Sequence, residues 1–249
     1  MRESTLGRRL LAEFLGTGLL VAAVVGSGIA AARLSPGNTG LELFENTAAT
    51  VGALVALILA LGPVSGAHFN PVVTLADRVF GGISSRDAAG YVGAQVTGAL
   101  GGALLANAMF ALPTFEASTK TRSAGPLWLG EVVATFGLVV VVFGVVRSGR
   151  ASVAPFAVGA YIGGAYFFTS STSFANPAVT IGRTISNSFA GIRPSSAPMF
   201  IAMQLLGGGL AVLVVRALYP RVADSAADVV LPHHADRTVD GAQHQGARA

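Results

Sequence analysis

The sequence contains no cysteine, which excludes disulfides, thiolate metal sites and a cysteine nucleophile. Charged residues are also scarce, at 11% of the 249 residues, whereas soluble domains average about 25%. Hydrophobic residues make up 52% of the chain and 32 residues are glycine, and small residues let membrane helices approach closely. This composition indicates an all-α membrane protein. The net charge of +4 is spread over loops and tails, so it does not suggest a nucleic-acid partner.

Six apolar stretches of about 19–26 residues are long enough to cross a hydrocarbon core of ~30 Å. Two shorter segments, 69–80 and 175–186, are apolar for only two or three turns. Each contains Asn-Pro at its start, where Asn caps a helix and Pro suits its first turn. Short capped helices inside a membrane protein indicate re-entrant half-helices. The predicted spans are 9–32, 44–63, 87–112, 126–147, 152–170 and 196–218.

The chain repeats itself in two halves. Ala-Glu-Phe-Leu-Gly-Thr at 12–17 opens the first half and Gly-Glu-Val-Val-Ala-Thr at 130–135 opens the second. Three spans and one half-helix follow each time, and an odd number of spans forces the halves into an inverted repeat. The two half-helix N-termini then meet near the midplane. The predicted division is 1–8 N-terminus, 9–112 first repeat, 113–125 connecting loop, 126–218 second repeat and 219–249 disordered tail.

The basic residues predict the orientation, because cytoplasmic loops carry an excess of Lys and Arg. We therefore expect a multi-pass protein of the cell (inner or plasma) membrane with both termini in the cytoplasm. Only five of the 16 Lys and Arg residues fall on the other side of the predicted topology, namely Arg33, Lys120, Arg122, Arg183 and Arg193.

Two motifs hold the functional signal: Ser-Gly-Ala-His-Phe-Asn-Pro-Val-Val-Thr at 65–74 and Ser-Phe-Ala-Asn-Pro-Ala-Val-Thr at 173–180. A lone Asn-Pro usually marks a turn, but two at equivalent points of an inverted repeat are specific. Each half-helix N-terminus carries about half a positive charge, and the amides of Asn70 and Asn176 can donate hydrogen bonds into a lumen. Such a pore repels cations and passes small neutral solutes and water.

With these motifs the chain resembles the aquaporin and glycerol-facilitator family (major intrinsic proteins) over about residues 8–218. The resemblance rests on 12–17, on Ser-Gly-Ala-His-Phe-Asn-Pro-Val at 65–72 and on Asn-Pro-Ala at 176–178. It implies six spans and two half-helices in an aquaporin-like inverted repeat, and a homotetramer with one pore per subunit. It implies neither an enzyme nor a cofactor. The implied pore constriction consists of Asn70, Pro71, Val72, Asn176, Pro177 and Ala178.

The chain departs from the family pattern at two positions. Val72 stands where the first motif usually has Ala, a modest enlargement at the midplane. Val179 stands where most relatives place an Arg that donates hydrogen bonds to the solute and repels cations in the outer filter. Counting from the two Asn residues, by resemblance, puts the other filter positions at Thr50, Gly164 and Ser173.

This ring holds neither the His nor the aromatic residue with which water-selective relatives narrow their filter, and Gly164 leaves space. A wide, moderately polar ring favours glycerol, urea or an uncharged metalloid hydroxide such as arsenious or boric acid, in addition to water. Some bacterial relatives with altered filters carry arsenite, so the resemblance includes a metalloid route. A water-selective pore is the alternative.

Arg183 lies four residues past Val179, on the same helix face. Helical side chains lean toward the N-terminus, so its guanidinium could reach back as a displaced donor at the outer mouth. The alternative is that Arg183 only favours the negative end of its half-helix. Its equivalent in the first repeat is Asp77, seven residues after Asn70.

Two glutamates and one histidine are expected to support the loops. By resemblance Glu13 and Glu131 each brace a re-entrant loop through backbone N–H groups; a proton relay is the rival, although no chain of acids connects them. His68 is expected to pack and hydrogen-bond the first loop rather than bind a metal, because no second ligand lies nearby.

Three other functions fit less well. A Ser-His intramembrane protease needs a base on another helix, and only Ser65 and His68, three residues apart, are available. An ion-coupled transporter needs charges along its path. A junction-forming protein with a closed pore would favour long adhesive loops, and the loops here are short.

Overall fold

The computed structural model describes residues 4–220, so nearly all of the predicted 219–249 tail lies outside the described residues. Within this range the chain folds into α-helices with no β-strand. Three short 3₁₀ segments, Ala151–Val153, Arg183–Ile185 and Pro194–Ser196, accompany them. The α-helices are α1 (Leu6–Leu34), α2 (Thr39–Ser65), α3 (Pro71–Phe80), α4 (Ser85–Met109), α5 (Gly125–Arg147), α6 (Ala154–Phe168), α7 (Pro177–Gly182) and α8 (Ala197–Leu218).

Five helical stretches of the described chain are long and apolar enough to cross a membrane: α1, α2 and α5, and the stretches Ala151–Phe168 and Pro194–Leu218. The sixth predicted span, α4, is long enough with 25 residues but less apolar. Its small residues let it touch α1 directly, since a Cβ on Gly98 would lie 3.0 Å or less from the backbone of Phe14. Close backbone packing thus supports α4 where hydropathy is weak.

The first half of the molecule is built on α1, which packs against α2 and α4. The helices α1 and α4 run parallel. The Arg9 guanidinium lies 2.7 Å from the Asp87 carboxylate near their starts, and Arg33 donates to the Phe110 carbonyl at 2.7 Å near their ends. We call the face with the two starts the terminal face and the face with the 110–124 connection the loop face.

The second half repeats this arrangement upside down, with α5 packed against α6 and α8. Arg216, near the end of α8, donates to the Val79 carbonyl at 3.1 Å, and α3 ends there beside the start of α4. Gly144, near the end of α5, lies against Tyr219 just past α8. The helices α5 and α8 therefore end on the terminal face, where α1 and α4 begin, which is the inverted relation expected of the two halves.

The half-helices α3 and α7 enter from opposite faces and meet inside the molecule. Asn70 Nδ2 donates to the Ala175 carbonyl at 2.7 Å, and Asn176 Nδ2 donates to the Phe69 carbonyl at 2.7 Å. The α-helical part of the second half-helix is shorter than the predicted 175–186, because the chain tightens into a 3₁₀ turn at Arg183–Ile185. Such turns are frequent at helix C-termini.

Candidate functional site: a cavity between the half-helices

One cavity lies between the two halves and contacts both half-helix N-termini. Its wall is mostly aliphatic, and its polar side chains come from the two re-entrant loops, from one face each of α2 and α6, and from Arg183 after α7. A cavity with this lining suits a solute that is partly apolar and partly hydroxylated. The aliphatic wall consists of Leu20, Val24, Leu54, Ile58, Val73, Leu138, Val142, Val158 and Ile162.

Asn70 and Asn176 both line the cavity. Each caps its half-helix, because Asn70 Oδ1 accepts from Val72 N at 2.9 Å and Asn176 Oδ1 accepts from Ala178 N at 3.0 Å. Each Nδ2 donates one N–H to a carbonyl of the opposite loop, which leaves a second N–H on each amide group. The two amides are thereby held rigidly, and these second donors are the ones available to a solute.

The other motif residues, Pro71, Val72, Pro177 and Ala178, are not among the residues that line the cavity. The Val72 side chain instead points at α8, where it occupies the space that a Cβ on Gly208 would need. The enlargement expected at Val72 therefore does not fall in the lumen: the extra methyl groups of this valine are accommodated by a glycine of α8.

Two buried carboxylates hold the loops that lead into the half-helices. Glu13 accepts four hydrogen bonds, from His68 N (3.0 Å), Phe69 N (2.7 Å), Ser65 Oγ (2.6 Å) and Gln95 Nε2 (2.8 Å). Glu131 accepts three, from Phe174 N (2.9 Å), Ala175 N (2.9 Å) and Gln204 Nε2 (2.6 Å). Their donors include two successive backbone N–H groups in each loop, the geometry of a brace.

These braces act on strained backbone. Ala67 and Phe69 have φ values of 48°, and Ser173 and Ala175 have φ values of 49° and 47°, so each loop is left-handed three residues and one residue before its Asn. Such conformations cost about 1–3 kcal/mol each and persist only where the surroundings enforce them. The carboxylate hydrogen bonds supply that enforcement and fix where each Asn amide lies.

Of the predicted filter residues, Thr50, Ser173 and Val179 line the cavity. Ser173 Oγ is buried and has no hydrogen-bond partner among the described residues, so it is available to a solute. Gly164 does not line the cavity. It is exposed on the outside of α6, near Phe168.

The position predicted for Gly164 is taken by Tyr166. Residues that are two positions apart on a helix point in directions that differ by about 200°. Gly164 therefore points away from the cavity that Tyr166 faces. The Tyr166 hydroxyl lies 3.3 Å from Thr50 Oγ1. The expectation of a ring without an aromatic residue, with open space at Gly164, is therefore corrected. The helical period of Val158 and Ile162 would have indicated Tyr166.

Arg183 lines the same cavity and is 2% exposed. Its Nε donates to the Ala190 carbonyl, and its guanidinium carbon lies 3.4 Å from the ring centroid of Phe174, another lining residue that the sequence did not indicate. Val179, one turn earlier, presents only methyl groups. The structure thus brings a guanidinium to the lumen one turn away from the expected filter position.

His68 lies at the opposite end of the lining and also faces the cavity. Its Nδ1 lies 3.1 Å from Thr74 Oγ1, and its Nε2 lies 3.6 Å from the Asp77 carboxylate. Asp77 is 4% exposed and does not line the cavity. Among residues 4–220 no group of three or more His, Asp or Glu side chains could hold a metal ion.

Known proteins resemble this chain over most of its length. The sequence model of the family described as Major intrinsic protein matches residues 1–173 and 165–243. The chain is 51% identical over 218 residues to aquaglyceroporin AqpS of Rhizobium meliloti (strain 1021), covering 88% of this chain and 93% of that one. It is 34% identical over 187 residues to probable aquaporin NIP4-2 of Arabidopsis thaliana, covering 72% and 65%.

A solved structure shares the fold. The X-ray structure of the aquaglyceroporin from Plasmodium falciparum superposes with a TM-score of 0.66 at 20% identity and covers 88% of this chain and 99% of that one. The aquaporin-like helical fold is thereby confirmed. The chain belongs to the major intrinsic protein family and is a multi-pass membrane channel for small solutes, not an enzyme.

Proposed function

We propose that this channel passes polyhydroxy and amide solutes of the size of glycerol and urea, and uncharged metalloid hydroxides such as arsenious acid. The observation that carries this proposal is the exchange at the filter. Val179 faces the cavity where the family pattern has Arg, and the guanidinium of Arg183 reaches the cavity one turn further along. Moving the largest filter group by one turn widens the ring beside Val179 while retaining a hydrogen-bond donor.

The lining matches the chemistry of such solutes. A glycerol molecule carries hydroxyls along one edge and C–H groups along the other. The hydroxyl edge can hydrogen-bond to Thr50, Tyr166, Ser173 and Arg183, and the C–H edge can pack against the aliphatic wall. A trihydroxy metalloid is neutral and presents the same hydroxyl donors and acceptors. The name of the 51% identical relative, an aquaglyceroporin, supports a glycerol-sized permeant.

The central barrier is assigned to the two Asn motifs. The N-termini of two half-helices and the second N–H of each Asn amide place positive potential at one point of the lumen. A cation or hydronium loses its hydration shell there and gains no counter-charge, whereas a hydroxyl oxygen accepts both amide hydrogens. Glu13 and Glu131 hold the loops in this role as structural supports, and Arg183 is the displaced donor.

The proposal includes a homotetramer in the cell membrane, with the loop face outside and the terminal face in the cytoplasm. In support, Arg33, Lys120 and Arg122 belong to the loop face, and the other side receives most of the basic residues. Mass measurement of detergent-solubilised protein tests the tetramer, and protease access to a tag placed after residue 249 tests the orientation.

The permeants are tested with purified protein in vesicles. Stopped-flow light scattering would measure water, glycerol and urea flux in parallel, and isotope uptake would measure arsenite. We expect facilitated flux of glycerol and arsenite above empty vesicles. Absence of every facilitated flux from correctly folded protein would contradict the channel assignment.

A water-selective pore is the second candidate, and one observation favours it. The contact between Tyr166 and Thr50 puts an aromatic side chain in the ring and narrows it from the side of α6. Rapid water flux with no glycerol, urea or arsenite flux in the same vesicles would select this candidate and reject the wider filter.

A further inference from the structure

Three cationic side chains converge on one three-residue stretch of backbone at the loop face. Lys120 Nζ donates to the Phe189 carbonyl at 2.8 Å, and Arg122 Nε donates to the Gly191 carbonyl at 3.0 Å. Between them, Arg183 Nε donates to the Ala190 carbonyl. Three consecutive carbonyls therefore each anchor one cation, and neither the filter nor the Asn barrier requires the first two.

Two of the three cations reach the cavity lining. The guanidinium carbons of Arg183 and Arg122 lie 3.4 and 5.0 Å from the centroid of the Phe174 ring, so both guanidinium groups pack on this one lining residue. Lys120 Nζ lies 4.7 Å from the ring centroid of Phe189. Aromatic faces attract cations and hold them in place, so the cluster is positioned on rigid neighbours.

Within the described range, none of the three cations forms a salt bridge with a carboxylate. The contacts between basic side chains and carboxylates at residues 4–220 include Arg9 with Asp87 and the His68 ring with Asp77, and none involves these three cations. The carboxylate of Glu131 attracts both arginines electrostatically, but it already accepts hydrogen bonds from two backbone N–H groups and from the Gln204 amide. Each anchored cation also keeps N–H groups that donate to no described residue.

Like charges held together at a partly desolvated site disfavour their own ionisation. Burial, followed by Arg122 and Arg183, lowers the pKa of Lys120 to about 8, and Glu42 is the acid that opposes this shift. Burial also lowers the pKa of Arg122. An anion placed among the three groups would remove this repulsion and accept the unused hydrogens.

We propose that Lys120, Arg122 and Arg183 form a binding site for a small soluble oxyanion, such as sulfate, phosphate or a carboxylate, at the loop-face mouth of the cavity. Arg183 is 2% exposed and faces the lumen, so the ligand reaches it through the mouth rather than from a lipid headgroup. A bound anion occupies the route to Val179 and Tyr166 and slows the entry of neutral solutes. The flux part rests on the proposed function; the binding part does not.

Binding is tested with inorganic sulfate on the purified full-length protein, with chloride at equal ionic strength as the reference. Sulfate stays fully ionised from about pH 6.5 to about pH 9.5, whereas Lys120 loses its charge across this range. We expect isothermal titration to show binding that weakens at the higher pH. Lys120→Arg, which stays charged, should bind equally at both pH values, and Lys120→Gln should bind about tenfold more weakly at the lower one.

Arg193→Gln is the matched control, because Arg193 is an exposed cation of the same face whose backbone N donates to the Lys120 carbonyl at 2.8 Å. This variant should bind sulfate like the wild type. Binding indistinguishable from chloride, or an equal loss in Arg193→Gln and Lys120→Gln, would overturn the site and indicate only a diffuse surface charge.

Glycerol flux into vesicles then tests the obstruction, with each variant normalised to its own sulfate-free flux. We expect sulfate to slow the wild type in proportion to occupancy and to leave Lys120→Gln nearly unaffected at the same concentration. Sulfate binding without slower flux would overturn the obstruction. Absence of glycerol flux before sulfate is added would instead count against the proposed function, and the titration would still decide the binding site.

Discussion

Each half-helix forms a frame with its preceding loop, the glutamate that braces the loop and a glutamine that bridges the two. The two frames of this molecule are nearly the same in construction and carry opposite charges at one position. In the first, Gln95 Nε2 bridges from Glu13 (2.8 Å) to Thr74 Oγ1 (2.9 Å). In the second, Gln204 Nε2 bridges from Glu131 (2.6 Å) to Thr180 Oγ1 (2.9 Å). Each frame also has an Asn cap and two left-handed loop residues. The backbone geometry at the centre is therefore specified twice by the same device.

Seven residues after each Asn the frames diverge. The first has Asp77, buried beside His68 and absent from the lining, and the second has Arg183, buried on Phe174 and facing the lumen. Equivalent positions of the two repeats thus supply a carboxylate behind one end of the cavity and a guanidinium at the other end. The comparison indicates that the frame fixes where the loops lie, while this position sets the chemistry of each end.

The frames themselves should respond most strongly to mutation. Glu13→Gln and Glu131→Gln each replace an acceptor-only carboxylate by an amide that donates, so each should lower the free energy of unfolding by ~3 kcal/mol or more. Glu13→Gln should be the worse by about 1–2 kcal/mol, because Glu13 accepts one hydrogen bond more. Thermal unfolding in detergent, read by circular dichroism, measures both.

Glu45→Gln controls for the loss of a helix carboxylate, since Glu45 accepts from the Ser35 hydroxyl at 2.7 Å and braces neither re-entrant loop. Its midpoint should stay close to the wild type. Equal stability of all three variants would show that the carboxylates do not hold the strained loops.

The diverging position should affect transport at one end only. Arg183→Gln removes a charged donor from the lumen and should lower glycerol flux about tenfold, a loss of ~1.4 kcal/mol. Asp77→Asn is its counterpart in the other frame and should leave the ratio of glycerol to water flux unchanged, because Asp77 does not line the cavity. Stopped-flow scattering on vesicles measures the two ratios.

The role of the positive charge is checked with Arg183→Lys, which keeps a cation on Phe174 and should retain more glycerol flux than Arg183→Gln, while the thermal midpoint of each variant verifies folding. If Asp77→Asn changes the ratio as much as Arg183→Gln, the two ends of the pore do not differ in the way proposed.

A smaller effect is expected at the aromatic residue of the ring. Tyr166→Phe removes the hydroxyl that lies 3.3 Å from Thr50 Oγ1 and keeps the ring's volume. We expect a change in glycerol flux of less than about threefold and a loss of about 0.5–1.5 kcal/mol in stability. Tyr161→Phe is the matched control, because the Tyr161 hydroxyl donates to the Val133 carbonyl and does not line the cavity. A larger flux change in Tyr161→Phe than in Tyr166→Phe would show that the Tyr166 hydroxyl does not belong to the filter.

The smallest expected effect is a pH dependence of stability. The pKa of Lys120 is lowered to about 8 in the folded chain, whereas an unfolded Lys titrates near 10.4. Between these values the unfolded chain binds the proton and the folded chain does not, so stability rises with pH. The thermal midpoint of the wild type should therefore rise relative to Lys120→Arg between about pH 8 and about pH 10. A parallel course of the two proteins would contradict the shift.

The sequence was sufficient for the fold because the fold depends on local and repeated signals. Long apolar stretches, an Asn-Pro at each half-helix and a matching Glu in each half predicted the helices now seen at α1 to α8. The helix ends differ by a few residues. The weakest span was α4, whose place depends on glycine packing against α1, a contact between distant residues that no local pattern reveals.

The site was predicted less completely, because the filter is assembled by helix rotation rather than by motif. A count from Asn176 reached Gly164, and the cavity is lined by Tyr166, two residues away on the opposite side of the helix. Lys120 and Arg122 lie in a connection without periodicity, so only the folded loop shows that they converge on the carbonyls of residues 189 and 191. Residues anchored to a motif, such as Asn70 and Val179, do line the cavity.

The claim that the filter donor has moved by one turn is tested most directly by moving it back. The double variant Val179→Arg/Arg183→Val keeps one arginine in the second half-helix and places it at the position that follows Asn-Pro-Ala. The ratio of glycerol to water flux in vesicles is the measurement, with folding verified by the thermal midpoint. We predict that glycerol flux falls about tenfold while water flux persists. An unchanged ratio in folded protein would contradict the account.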